Sequence, residues 1–182
     1  MHSQAKTSLR KDCLRYQRRI AAQPYRYGMD KRVQRRLERM VGALRPRSIM
    51  AYVPLPTEAD IFPLLQRWRR RGIVVYVPVM EGESFGLVEY RYPLKRQRFG
   101  VREPRNKRMI HKRYVDMALI PTVAFDGAYR RIGFGKGMYD RFFEKEGTRI
   151  GRRIFVMRTP CFTPKYVSDR HDVRADTIVT GT

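Results

Sequence analysis

The segment Arg131 to Arg141, RIGFGKGMYDR, places Gly133, Gly135 and Gly137 at alternate positions, with Lys136 between the last two and Asp140 just beyond. Glycines at that spacing let backbone N–H groups approach an anion closely. Lys136 adds a mobile positive charge, and a helix starting near Met138 turns its positive end to the same place. Together these features make a phosphate cradle. The segment matches neither the GxxxxGK[ST] loop nor a complete GxGxxG fingerprint, so a tightly packed Gly-rich turn is the competing reading. Asp140 stands where a carboxylate beside a bound triphosphate would hold Mg²⁺ through one or two oxygens. A first-turn helix Asp favourable to the dipole would read the same way. Asp172 and Asp176, in RHDVRAD, are further carboxylates that nothing local singles out.

Lys11 and Arg15 are four apart in a helix-prone stretch, so both project from one face and could clamp phosphates from two sides. A solvated surface pair is the plain alternative. Glu58 follows a core strand, at the carboxyl edge where open α/β sheets bind ligands. A carboxylate there suits the paired N–H donors of a pterin or guanine edge, though a helix N-terminal Glu would look alike. His111 and His171 have no companion at metal-ligand spacing. Cys13 and Cys161 are too few for a disulfide framework and lack zinc-site spacing, so both are expected to be reduced.

The elements that must position these residues are legible from periodicity. A helix is expected from Thr7 to about Gln23. A second runs from Asp30, read as its cap, to Leu44, with Val33, Leu37, Met40, Val41 and Leu44 on one face. Ser48 to Val53 reads as a strand. Asp60 then caps a helix carrying Ile61, Leu64, Leu65 and Trp68, which Gly72 ends. Ile73 to Val77 is a β-branched run suited to a strand buried on both faces, the mark of a parallel sheet covered by helices. Phe85 to Tyr90, Val115 to Ile120, Ile150 to Met157 and Thr177 to Thr180 supply further strands, with mostly loop between Glu81 and Arg113. The expected fold is one domain over 1–182, a Rossmann-like three-layer α/β/α sandwich with a mainly parallel sheet.

Forty Lys and Arg against 17 Asp and Glu leave a formal charge of +23. Such a surface attracts polyanions, nucleic acid among them, although the cations are dispersed along the chain and not gathered into one tail. No apolar run approaches the roughly 20 residues of a membrane span. The basic N-terminus lacks the apolar core of a secretory signal. A soluble, cytoplasmic monomer is the expectation.

KDCLR, YVPLPTEADIFPLL, RGIVVYVPV, FGVREP, LIPTVAFD and RIGFGKGMYDRFF occur in an order that resembles the 5-formyltetrahydrofolate cyclo-ligases. HDVRADTIVT is similar to that family's C-terminal strand, so the resemblance runs from about Lys6 to Thr180. It implies ATP binding by Lys11 to Arg15 and by Arg131, Gly133, Phe134, Gly135, Lys136, Gly137, Met138 and Tyr139. It also implies a folate pocket touching Val53, Glu58 and Phe134 to Met138, with Mg²⁺ near Asp140 and Asp172. The implied reaction phosphorylates the formyl oxygen at N5, after which N10 closes the ring and phosphate leaves. It needs no Ser, Cys or His nucleophile, because phosphoryl transfer rests on positioning and charge neutralisation, here by Lys136, Arg15 and Mg²⁺. Two positions depart from the family pattern: Met138 where Tyr is frequent, and Tyr129 where Gly is common. The strong positive charge would suit a polyglutamylated folate. The competing readings are a nucleic-acid-binding module and a family member that binds nucleotide without turnover.

Overall fold

The computed structural model describes residues 2–91, 94–96, 102–104, 109–110 and 113–182. Helix α1 (His2–Ala21) turns Lys6, Arg10, Cys13, Gln17 and Ile20 inward, in alternating steps of four and three. Gln17 fixes it by donating to the Thr122 and Val123 carbonyls at 3.3 and 2.9 Å. Helix α2 (Arg26–Leu44) buries the expected Val33, Leu37 and Val41 and ends at Arg45, whose left-handed φ of 47° precedes Pro46. Asp30 lies inside α2 and does not cap it, because the helix begins four residues earlier, at Arg26. Its buried carboxylate pairs with Arg158 at 2.8 Å and accepts the Asp60 N–H at 3.0 Å. A buried ion pair is tolerable only when its remaining hydrogen-bonding capacity is satisfied; here that requirement ties together three segments distant in sequence.

Strand β1 (Ser48–Met50) leads through residues 51–61 into α3 (Phe62–Arg70), where Asp60 accepts the Phe62 N–H at 3.0 Å and Pro63 is at the helix start. Gly72, with φ 81°, makes the return into β2 (Val74–Glu81), which pairs antiparallel with β3 (Ser84–Glu89). Short strands β4 (Leu94–Arg96) and β5 (Arg102–Pro104) pair with each other, and β6 (Met109–Ile110) joins β3. The rest of the basic stretch, including much of FGVREP and His111, lies outside the described residues. Then follow β7 (Val115–Pro121), the paired β8 (Ala124–Phe125) and β9 (Arg131–Ile132), α4 (Met138–Glu146), a 3₁₀ turn, β10 (Ile150–Val156) and β11 (Thr177–Val179).

The main sheet has the order β11-β10-β7-β1-β2-β3-β6, parallel from β11 to β2 and antiparallel at β3 and β6. The mainly parallel three-layer α/β/α architecture is thus as expected. Successive strand residues serve opposite faces: Ile49, Leu119 and Ile154 pack under α2 and α3 with Trp68 and Leu64, whereas Met50, Ile120 and Phe155 pack with Phe142 and Phe143 of α4. Such two-sided burial explains the unbroken apolar runs. Cys13 and Cys161 correct the expectation of free thiols: they form a disulfide, with Cα atoms 6.0 Å apart. Helix α1 packs over the β8–β9 ribbon, where the Cys161 carbonyl accepts the Phe125 N–H at 3.1 Å, so two cysteines separated by 148 residues meet. No helix among the described residues is long and apolar enough to cross a membrane.

Candidate active site

At the carboxyl edge of the sheet, β9 delivers the Gly-rich loop to the N-terminus of α4. Gly135 has φ 97° and Gly137, the residue before the helix, φ 60°; side-chain-bearing residues resist that region. A Cβ at Gly133 would overlap the Arg131 guanidinium. Arg141 closes the loop from outside, donating to the Glu83 carbonyl at 3.0 Å and the Lys136 carbonyl at 2.6 Å. The loop is therefore a backbone cradle at a helix N-terminus, the arrangement that favours an anion.

A cleft of about 390 Å³ lies between this loop, α1 and the segment 169–172. Lys6 and Arg10 line it from α1, and Arg10 donates from Nε to the Gly133 carbonyl at 2.9 Å. Lys6 pairs with Asp169 at 2.9 Å and with buried Asp172. Burial works against the Lys6 charge, but the two carboxylates outweigh it and raise its pKa. Asp140 and Asp172 both line the cleft. Asp140 is 3.6 Å from the Arg131 guanidinium and accepts the Val173 N–H at 3.4 Å. Ligand atoms of Asp169, His171 and Asp172 lie within 4.8 Å of one another. Carboxylate oxygens beside a cradle that favours an anion fit a hard divalent cation such as Mg²⁺, which takes one or two carboxylates together with phosphate oxygens.

Other predicted residues are placed differently. Lys11 and Arg15 are exposed and do not line the cleft; Arg15 stands 3.7 Å from Asp12 at the surface. KTSLR and KDCLR share the pattern Lys-x-x-Leu-Arg, and the structure directs the first pair, Lys6 and Arg10, inward. Phe134 and Lys136 are exposed on the loop, Met138 opens α4, and Val53 packs against the main core. Asp176 binds Arg153 at the surface. Arg131 is buried, donating to the Pro121 carbonyl at 3.1 Å with its guanidinium 4.7 Å from the centre of the Tyr139 ring. Tyr129 takes a φ of 57°, the left-handed region that suits glycine, and stacks on Phe125 at 6.1 Å.

Glu58 lies in the loop after β1, accepting the Leu55 N–H at 2.9 Å. It retains some accessible surface, yet desolvation of its carboxyl dominates and pushes the pKa up to about 7 against the opposing pull of that hydrogen bond and of Arg131 and Arg158. The nearby phenols of Tyr52 and Tyr139 are raised by burial and by the charge of Glu58. Arg131 thus acts on both halves of the site, contacting Asp140 directly and Glu58 through its charge.

Fold and site together define an α/β protein with a cleft lined by cations, carboxylates and a backbone cradle at the N-terminus of α4. The family model described as the 5-formyltetrahydrofolate cyclo-ligase family matches residues 2–181, and the chain belongs to that family. It is 28% identical over 143 residues to a 5-formyltetrahydrofolate cyclo-ligase of Mycolicibacterium smegmatis, covering 74% of this chain and 73% of the relative. To the Escherichia coli K12 protein of the same name it is 27% identical over 135 residues, covering 70% and 74%. The solved Aquifex aeolicus 5,10-methenyltetrahydrofolate synthetase superposes with a TM-score of 0.80 at 27% identity, covering 97% of this chain and 89% of that one. The Mycoplasma pneumoniae synthetase, at 20% identity and TM-score 0.69 over 96% and 97% of the two chains, shares the fold. The protein is therefore an enzyme of the cyclo-ligase type.

Proposed function

We propose that this enzyme uses ATP to close 5-formyltetrahydrofolate to 5,10-methenyltetrahydrofolate, releasing ADP and phosphate. The observation that carries the reading is convergence: Lys6 and Arg10 of α1, the glycine cradle, the α4 N-terminus, Asp140 and Asp172 all face one cleft. The formyl oxygen attacks the γ-phosphorus and ADP leaves. N10 then bonds to the formyl carbon, the carbon–oxygen bond breaks, phosphate departs with that electron pair, and the N10 proton passes to solvent. Lys6, Arg10 and Lys136 neutralise the triphosphate, and the glycine N–H groups orient it. Mg²⁺, held by Asp140 and Asp172, would supply further charge neutralisation at the phosphate oxygens. Glu58 accepts the N–H edge of the pterin, Val53 and Met138 border that ring, and Phe134 offers it an exposed face. Arg131 positions Asp140 and Tyr139 from beneath the loop. The test is the absorbance of methenyltetrahydrofolate on mixing protein, substrate and MgATP: product forms only with ATP present. Formation at the same rate without ATP, or none with ATP binding intact, would overturn the reading.

A further inference from the structure

The corner between α1 and α2 combines charge and exposed aromatic surface in a way the cyclo-ligase cleft does not use. Between Asp12 and Asp30 the chain has no carboxylate side chain, but it has Arg15, Arg18, Arg19 and Arg26. Tyr16, Tyr25 and Tyr27 are 44%, 54% and 62% exposed. Arg26 is anchored to the Ala21 carbonyl, with its guanidinium 4.8 Å from the centre of the Tyr27 ring. From Tyr27 the exposed face of α2 continues through Lys31, Arg35 and Arg39, each four residues beyond the last and all exposed. Helical rise sets these neighbours about 6 Å apart on one side. Among the described residues no carboxylate pairs with Lys31, Arg35 or Arg39; Glu38 is engaged by Arg67 and Arg71 of the α3 end. The corner is roughly 16 Å along α1 from Arg10, counting about eleven residues of rise to the helix end at Ala21.

We propose that this corner and stripe bind single-stranded nucleic acid, with phosphates along Lys31, Arg35 and Arg39 and unpaired bases stacked on Tyr25 and Tyr27. A row of cations tracking a backbone beside exposed rings is what sequence-tolerant single-strand binding requires, since every base has a π-face. A duplex keeps its bases stacked away from such rings, and an acidic peptide or polyglutamate chain would match the charge without using the tyrosines.

Fluorescence anisotropy with a labelled 12-nucleotide oligouridylate, repeated over a salt series, tests this. The double variant Tyr25→Ala/Tyr27→Ala should weaken binding about tenfold or more while leaving the salt slope unchanged. Arg35→Gln/Arg39→Gln should weaken binding and reduce the salt slope by about 1.4, for two phosphate contacts. Arg69→Gln/Arg70→Gln, the same charge loss on the exposed face of α3, should change affinity by less than about threefold. Unchanged methenyltetrahydrofolate formation in all three verifies that the fold and cleft are intact. The proposal fails if the tyrosine variant binds like the parent. It fails equally if the α3 variant loses as much as the α2 variant, or if poly-glutamate binds as tightly as the oligonucleotide with the same response to the tyrosine change.

Discussion

Replacing Arg10 and Arg15 separately by alanine distinguishes two pairs of cations that look alike in the sequence. Arg10 lines the cleft and donates to the Gly133 carbonyl at 2.9 Å, so in the proposed ATP complex it would both face the phosphates and brace the loop that cradles them. A hydrogen bond to a charged group contributes about 1.5–3 kcal/mol. Losing it should raise KM for ATP roughly ten- to hundredfold. Arg15 is 65% exposed and 3.7 Å from a 62% exposed Asp12. Pairs of that kind contribute about 0.2–1 kcal/mol, so Arg15→Ala should shift KM by less than about fivefold. The assay is initial velocity against ATP at saturating folate and fixed ionic strength, with circular dichroism to verify folding. Arg10→Lys, which keeps the charge but loses the planar fork, should fall between the parent and Arg10→Ala. If Arg15→Ala raised KM tenfold while Arg10→Ala left it unchanged, the assignment of the α1 phosphate contacts would be refuted.

Glu58 predicts a pH dependence. With a pKa near 7, it is about one-tenth ionised at pH 6 and nine-tenths at pH 8, so folate affinity in the absence of ATP should rise about tenfold over that interval. Glu58→Gln should flatten the profile, and an unchanged slope in the variant would assign the titration elsewhere. The stability sign runs the other way. The folded pKa lies above the ordinary value of 4.5, so Glu58 costs stability increasingly as pH rises from 4.5 to about 7, and Glu58→Gln should raise Tm more at pH 8 than at pH 5. The Cys13–Cys161 disulfide spans 148 residues of sequence. Chain entropy alone gives it up to about 5 kcal/mol. Cys13→Ser or a dithiol reductant should therefore lower Tm by roughly 10 °C or more in a protein of this size, and a Tm indifferent to reductant would show that the crosslink does not form in solution.

The Gly-rich loop and the buried strands were legible because their chemistry is local. Glycines at alternate positions and unbroken β-branched runs declare a cradle and a two-faced sheet without reference to distant residues. Helix α1 was not legible in the same way. Its inward stripe is Lys6, Arg10, Cys13, Gln17 and Ile20, so apolar periodicity cannot reveal which face turns in. KTSLR and KDCLR consequently compete on equal terms until the helix is docked through Gln17. Asp30 has the residue type of a cap, but its partner is Arg158, 128 residues away. The disulfide likewise depends on a long-range meeting that spacing rules do not encode.

Arg131 shows most clearly why segment membership and role differ. Its place in RIGFGKG marked it as a ligand contact, yet it is 4% exposed, under the loop whose glycine a Cβ would drive into it. From there it faces Asp140 at 3.6 Å, supports the Tyr139 ring and pulls down the Glu58 pKa that burial raises. A buried guanidinium needs carboxylates and carbonyls to compensate it, and this chain meets that need with Asp140 and Glu58, which the proposed function assigns to metal and to folate. Anions arriving on the phosphate side would share the same cation. The glycine loop, Asp140 and Glu58 are therefore coupled through a side chain that need not touch any substrate.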